Sequence, residues 1–163
     1  MPTSTAAVAF RPAGDSDREF LAEVYASTRE EELAPVPWAE AEKVAFLRSQ
    51  FEAQDRYYRQ HYPAADYLVV VADGVPAGRL YVARLAESRD IRIVDIALLP
   101  PFRGHGIGRE ALAGVLEEGN RLGWRVSIHV ERNNRALLFY ERLGFRLAED
   151  KGVYLFLVRE PVS

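Results

Sequence analysis

"LLPPFRGHGIGREAL", residues Leu98–Leu112, is the stretch whose reading decides the fold of this chain. Gly104, Gly106 and Gly108 stand at alternate positions behind Arg103. Upstream, "RDIRIVDIALL" (Arg89–Leu99) is rich in β-branched residues and reads as a strand. Downstream, Ile107, Ala111, Leu112, Val115, Leu116 and Leu122 recur at helical spacing. The glycines therefore sit where a strand hands over to a helix. The first N–H groups of a helix have no internal partner, and the helix dipole adds partial positive charge there. Glycine puts no Cβ between this backbone and a bulky anion. Together these features read as a diphosphate cradle, with Arg103 placed to add a charge-assisted bond. The plainer alternative is a tight connection with Arg103 as surface charge; three alternating glycines behind an arginine favour the anion site.

The familiar nucleotide motifs fail here. A nucleoside triphosphate loop needs Gly-Lys-Ser/Thr, but Gly108 is followed by Arg109 and Glu110. The dinucleotide fingerprint needs a third glycine where Arg109 stands.

Working outward, "AVAFRPA" (Ala7–Ala13) reads as a first strand. A helix follows, with Asp15 or Ser16 as candidate N-cap and Phe20, Leu21 and Val24 on one face. "APVPW" breaks the chain before a second helix, Trp38 to Gln60. "DYLVVVADGVPAGRLYVARL" reads as two strands about a turn at Asp73-Gly74. After the glycine segment and its helix come a strand, "WRVSIHV", and a short helix, "RALLFYERL", capped by Asn134 and closed by Gly144. "GVYLFLV" reads as the last strand. The order predicts one mixed α/β sheet domain over residues 1–163.

Composition sets further bounds. The 163 residues are 48% hydrophobic and 28% charged, an ordinary globular balance. Without cysteine there is no disulfide, thiolate metal site or cysteine nucleophile. A formal charge of -3 argues against a dedicated nucleic-acid binder. No apolar run is long enough to span a membrane and the first residues lack signal-peptide order, so the expected location is cytoplasmic. No metal is expected.

"PFRGHGIG" resembles the acetyl-CoA signature of the GNAT N-acetyltransferase superfamily, Arg or Gln followed by x-x-Gly-x-Gly/Ala, with Arg103, Gly106 and Gly108 in the signature positions. "HVERNNRALLFYERLGF" (His129–Phe145) is similar to that family's second cofactor motif, through Asn133 or Asn134, Ala136, Tyr140, Gly144 and Phe145. The resemblance covers roughly Leu80 to Val158 with specific motifs. It implies a mostly antiparallel twisted sheet of about six to seven strands flanked by about four helices. It implies cofactor contacts from Ile96, Ala97, Leu98, Arg103, Gly104, His105, Gly106, Ile107, Gly108, Asn133, Asn134 and Tyr140. It also implies acetyl transfer from acetyl-CoA to a primary amine of a small molecule, peptide or protein, by direct attack, with a homodimer as a family-level expectation.

Such a reaction makes three demands. The amine must lose a proton, the oxyanion needs a donor, and the leaving thiolate needs an acid. The resemblance gives the donor to backbone near Leu98 and the acid to Tyr140, whose alternative is a core aromatic beside Phe139 and Leu143. For the base, Asp95 stands mid-strand; it either takes the proton or is a buried carboxylate paired with Arg79 or Arg92. His129 and Glu131 share one face of the next strand by alternation. Tyr57, Tyr58 and Tyr62, with Tyr81 opposite, are candidates for an acceptor wall that holds a cationic amine. "REEEL" (Arg29–Leu33) either draws in a basic substrate or is a solvated face. Two further readings stay open: a non-catalytic acyl-CoA sensor, and a transferase for another acyl group.

Overall fold

The computed structural model describes residues 6–163; residues 1–5, part of the expected domain, lie outside it. Seven strands form one sheet: β1 (Val8–Pro12), β2 (Asp66–Ala72), β3 (Val75–Leu85), β4 (Asp90–Leu98), β5 (Arg125–Glu131), β6 (Arg146–Asp150) and β7 (Tyr154–Arg159). Their order is β1-β2-β3-β4-β5-β7-β6. Every pairing is antiparallel except β4 with β5. Five helices accompany them: α1 (Arg18–Ser27), α2 (Glu30–Leu33), α3 (Glu40–His61), α4 (Ile107–Leu122) and α5 (Leu137–Arg142). This is the mixed α/β, mostly antiparallel sheet expected. Among the described residues no helix is long and apolar enough to cross a membrane.

The two faces of the sheet differ. On the first, α4 and α5 cover Leu80, Val82, Ile91, Ile93, Val126, Ile128, Val130 and Leu157, the main core. On the second, α1 and α3 meet around Leu21, Tyr25 and Phe51. Burial of such side chains contributes about 25 cal/mol per Å² of apolar surface, the dominant stabilising term.

One irregularity sets the chemistry. In β4, Tyr81 pairs with Asp95 but Val82 pairs with Ile93, so Val94 is an extra residue. Strict alternation from Ile91 and Ile93 would aim Asp95 into the apolar core. The bulge resets the phase: Ile96 and Leu98 return to the core face and Asp95 turns to the second face, beside Tyr81.

The first helix starts later than expected, at Arg18 after a single 3-10 turn, Asp15–Asp17. Asp17 receives both Arg11 guanidinium nitrogens and the Gly14 N–H at 2.8 Å each, which ties the helix entry to β1. "REEEL" contains a helical turn, α2, whose three glutamates are exposed, as on a solvated face.

Candidate active site

β4 and β5 pair in parallel only from Asp90 with Arg125 to Ile93 with Ile128. Beyond that point the strands part, and β4 runs on through Leu98 without β5 beside it. Leu99 N–H donates to Ala77 O at 2.8 Å, on the β3 side. By strand alternation the N–H and C=O of Leu98 therefore point the other way, into the gap. The Leu98 carbonyl is met there by Arg103 Nε at 2.9 Å.

The chain then turns into α4 through the glycines. Gly106, the residue before the helix, has φ 81°, which a side chain would strain. The N–H groups from Gly104 to Arg109 find no acceptor among the described residues; the first to do so is Glu110, which donates to Gly106 O at 3.1 Å. A Cβ at Gly104 would meet nothing within 4 Å, so the surface over it is open. Unpaired amides, an open surface and the start of a 16-residue helix suit a diphosphate. The Arg103 side chain lies on Leu98 O at 2.9 Å and on Ser27 O and Oγ at 3.4 and 3.3 Å. It joins the cradle to the end of α1. His105 is exposed on the loop.

On the far side of the gap, β5 leads into α5. The short helix starts at Leu137 with Ala136 in the cap position, two residues later than a cap at Asn134 predicts; Asn134 Oδ1 accepts the Ala136 N–H at 2.7 Å in the turn ahead of it. Asn133 is exposed in the same turn. Tyr140 is buried, with its ring edge-on to Phe139 and Phe145 at 5.4 and 5.8 Å. Burial pushes its phenol pKa well up, and the Asp95 carboxylate adds to the push. The group stays protonated through the neutral range, as a proton donor must. Its sensitivity to Asp95 relates two residues on opposite faces of the sheet at the place where the strands separate.

The family model described as the acetyltransferase (GNAT) family matches residues 25–145. The chain belongs to the GNAT acetyltransferase family. A curated mycothiol acetyltransferase from Brachybacterium faecium is 32% identical over 112 residues, covering 66% of this chain and 33% of that protein. This chain thus spans about a third of that relative's length. Two solved structures share the fold. The PaiA N-acetyltransferase from Thermoplasma acidophilum, in complex with coenzyme A, has TM-score 0.71 and 18% identity, over 94% of this chain and 99% of that one. An acetyltransferase from Thermus thermophilus has TM-score 0.69 and 22% identity, over 96% of this chain and 99% of that one.

In this GNAT chain the second sheet face holds the remaining polar groups. Arg79, 2% exposed, donates to Asp95 Oδ2 at 2.8 Å and to Gln54 Oε1 at 2.7 Å. Tyr58 Oη–H donates to the same Asp95 oxygen at 2.8 Å. Pairing with Arg79 was one of the two alternatives for Asp95, and it is present. Burial and the Asp95 charge both raise the Tyr58 pKa, so this phenol stays a donor. Tyr81 packs edge-on against Tyr58 and is itself fully buried, with no partner for its hydroxyl among the described residues. It supports the wall and does not line it. Tyr62 receives an Arg92 donor at 3.2 Å. Tyr57 is exposed, stacked on His61 at 3.9 Å and edge-on to Tyr58 at 6.2 Å.

Sequence reasoning missed a clasp over this region. Arg29 pairs with Glu131 at the end of β5 at 2.9 Å, and Glu31 of α2 pairs with Arg135 ahead of α5 at 2.5 Å. With Arg103 on Ser27, these contacts dock the α1–α2 segment against both cofactor motifs. Their partners lie about a hundred residues apart, and no local pattern announces them. Among the described residues no group of three or more His, Asp or Glu side chains is placed to hold a metal.

Proposed function

We propose that this chain transfers the acetyl group of acetyl-CoA to a primary amine, with the amine attacking the thioester directly while both are bound. The observation that carries this reading is the row of unpaired N–H groups from Gly104 to Arg109 beside the parted strands, with the Tyr140 phenol across the gap. Acetyl-CoA supplies the activated acyl carbon and the thiolate leaving group. The chain's residues bind, orient and move protons. The Gly104–Arg109 amides hold the diphosphate, and Asn133 and Asn134 flank it from the α5 turn. The Leu98 N–H, directed into the gap, donates to the oxygen that gains charge as the amine adds. Tyr140 gives its proton to the departing sulfur.

The ion pair with Arg79 does not exclude the other alternative for Asp95, because it engages only Oδ2, and the amine's proton leaves through this carboxylate. Arg79 and Tyr58 both occupy Oδ2, so Oδ1 is the oxygen turned to the amine, directly or through a water. The same two donors fix the orientation of the carboxylate, and the Arg79 charge balances its own. Tyr58 and Tyr62 form the wall, where ring faces stabilise an ammonium before it is deprotonated.

Incubation with acetyl-CoA and a panel of primary amines tests the reading. The expected result is amine-dependent release of free coenzyme A together with N-acetylated product. Cofactor binding with no amine in the panel accelerating release would instead support a sensor, and faster turnover of a longer acyl-CoA would replace acetyl by that group.

A further inference from the structure

The second face of β4, β5 and β7 carries a cluster that the steps above leave unused. Its floor is the ring of Phe156. The guanidinium carbons of Arg92 and Arg125 lie 5.3 and 5.7 Å from the ring centroid, and the Lys151 ammonium lies 5.4 Å from it. The His129 ring is 4.7 Å away, centroid to centroid. Cations gathered on one ring repel each other unless anions balance them. Here three cations face two carboxylates. Asp90 is wholly buried and already bound by Ser127 Oγ, Arg92 and Arg125. Glu149 lies 3.4 Å from Lys151.

Donors are also left over. Arg125 Nε is buried without an acceptor among the described residues. Lys151 Nζ is 3.3 Å from His129 Nε2, so the imidazole accepts there and carries its proton on Nδ1. A neutral ring suits this setting, because burial, then Arg92 and Lys151, lower its pKa. The cluster adjoins the acceptor wall. His129 is two residues before Glu131 on the same strand face, and Arg92 bonds Tyr62.

We propose that this patch binds an anionic group, a carboxylate or a phosphate, carried by the amine acceptor. Guanidinium donors match the oxygens of either group, and Phe156 keeps water from one side. On a chain of net charge -3, a local positive site selects acceptors that the surface at large repels. The proposal rests on the acetyl-transfer reading, because that reading makes this face the acceptor side.

Two matched pairs of probes test it on the protein saturated with coenzyme A: phosphoethanolamine against ethanolamine, and glycine against glycinamide. The readout is the His129 imidazole resonance. The expected result is that at least one anion-bearing member moves this resonance and saturates at a concentration about tenfold below its partner that lacks the anion. The anion-bearing probe that leads assigns phosphate or carboxylate. Because Arg92 and Arg125 also brace Asp90, the variant is the more exposed Lys151→Glu, expected to raise that concentration by about tenfold or more. Equal behaviour of probes with and without the anion, no movement of His129 with either anion-bearing probe, or indifference to Lys151→Glu overturns the proposal. Calorimetry with coenzyme A on the same sample tests the cofactor reading by itself, so the two can fail separately.

Discussion

The paired strands β4 and β5 have two different ends. At the closed end, Asp90–Ile93 lie against Arg125–Ile128. Side chains tie this end as well as the backbone: Ser127 Oγ is 2.7 and 2.9 Å from the two Asp90 oxygens, and Arg92 Nε donates to Ser127 Oγ at 2.7 Å. At the open end, Leu98 and the glycine turn present backbone groups with no strand partner. An opened sheet is normally a liability, because buried backbone groups must be paired. The contrast shows how this one is tolerated. The charged brace holds the strands where they meet, and the groups left bare above it are those a diphosphate and a thioester would satisfy.

The largest expected effect comes from the open end. Gly106→Val forces a β-branched side chain onto a φ of 81° and displaces the amides of the cradle. Coenzyme A affinity, measured by calorimetry, is expected to fall by about a hundredfold or more. Gly114→Ala, on the exposed side of α4 with nothing within 4 Å of the new Cβ, should leave affinity unchanged. Next comes Tyr140→Phe. Loss of the general acid should lower turnover by about 10² or more while coenzyme A affinity holds. A parallel fall in both would return Tyr140 to the role of a packing aromatic.

The closed end is tested by Asp90→Ala, which leaves Arg92 and Arg125 without their buried anion. Denaturant unfolding should show a loss of about 3 kcal/mol. The sharper measurement is the coenzyme A affinity of the folded fraction. If the brace shapes the gap, affinity falls as well. Lost stability with intact affinity would mean that the two ends are independent.

Whether a feature was legible in the sequence followed how local its cause is. The bounds of α4, Ile107 and Leu122, were readable because Gly106 and Gly123 flank an apolar period. The glycine turn before it was readable for the same reason, as glycine spacing and a helix start are short-range signals. The direction of Asp95 was not. It depends on a single extra residue, Val94, and plain alternation would have buried the carboxylate in the core. The contact of Arg103 with Ser27 was not legible either, because the two stand 76 residues apart. The clasp of Arg29 on Glu131 and the gathering of Arg92, Arg125 and Lys151 on Phe156 likewise arise only when distant segments meet. Tertiary packing, not propensity, decides such contacts.

The smallest effect probes the junction between the two ends, where His129 follows Ile128, the last residue of β5 paired with β4. Burial first, then Arg92 and Lys151, lower its pKa below the ordinary 6.5, while Asp90 and Glu149 act in the opposite sense. Between the folded and unfolded pKa values the unfolded chain binds more protons, so stability rises with pH in that window. Acidification through about pH 6.5 therefore costs the fold stability, until the folded protein is protonated too. His129→Gln removes this dependence. Thermal unfolding followed from about pH 7.5 to pH 5 should show a steeper fall in Tm for the native chain than for the variant. Parallel curves would mean that the junction does not discriminate against the imidazolium, and that the cations around Phe156 are better screened than their spacing implies.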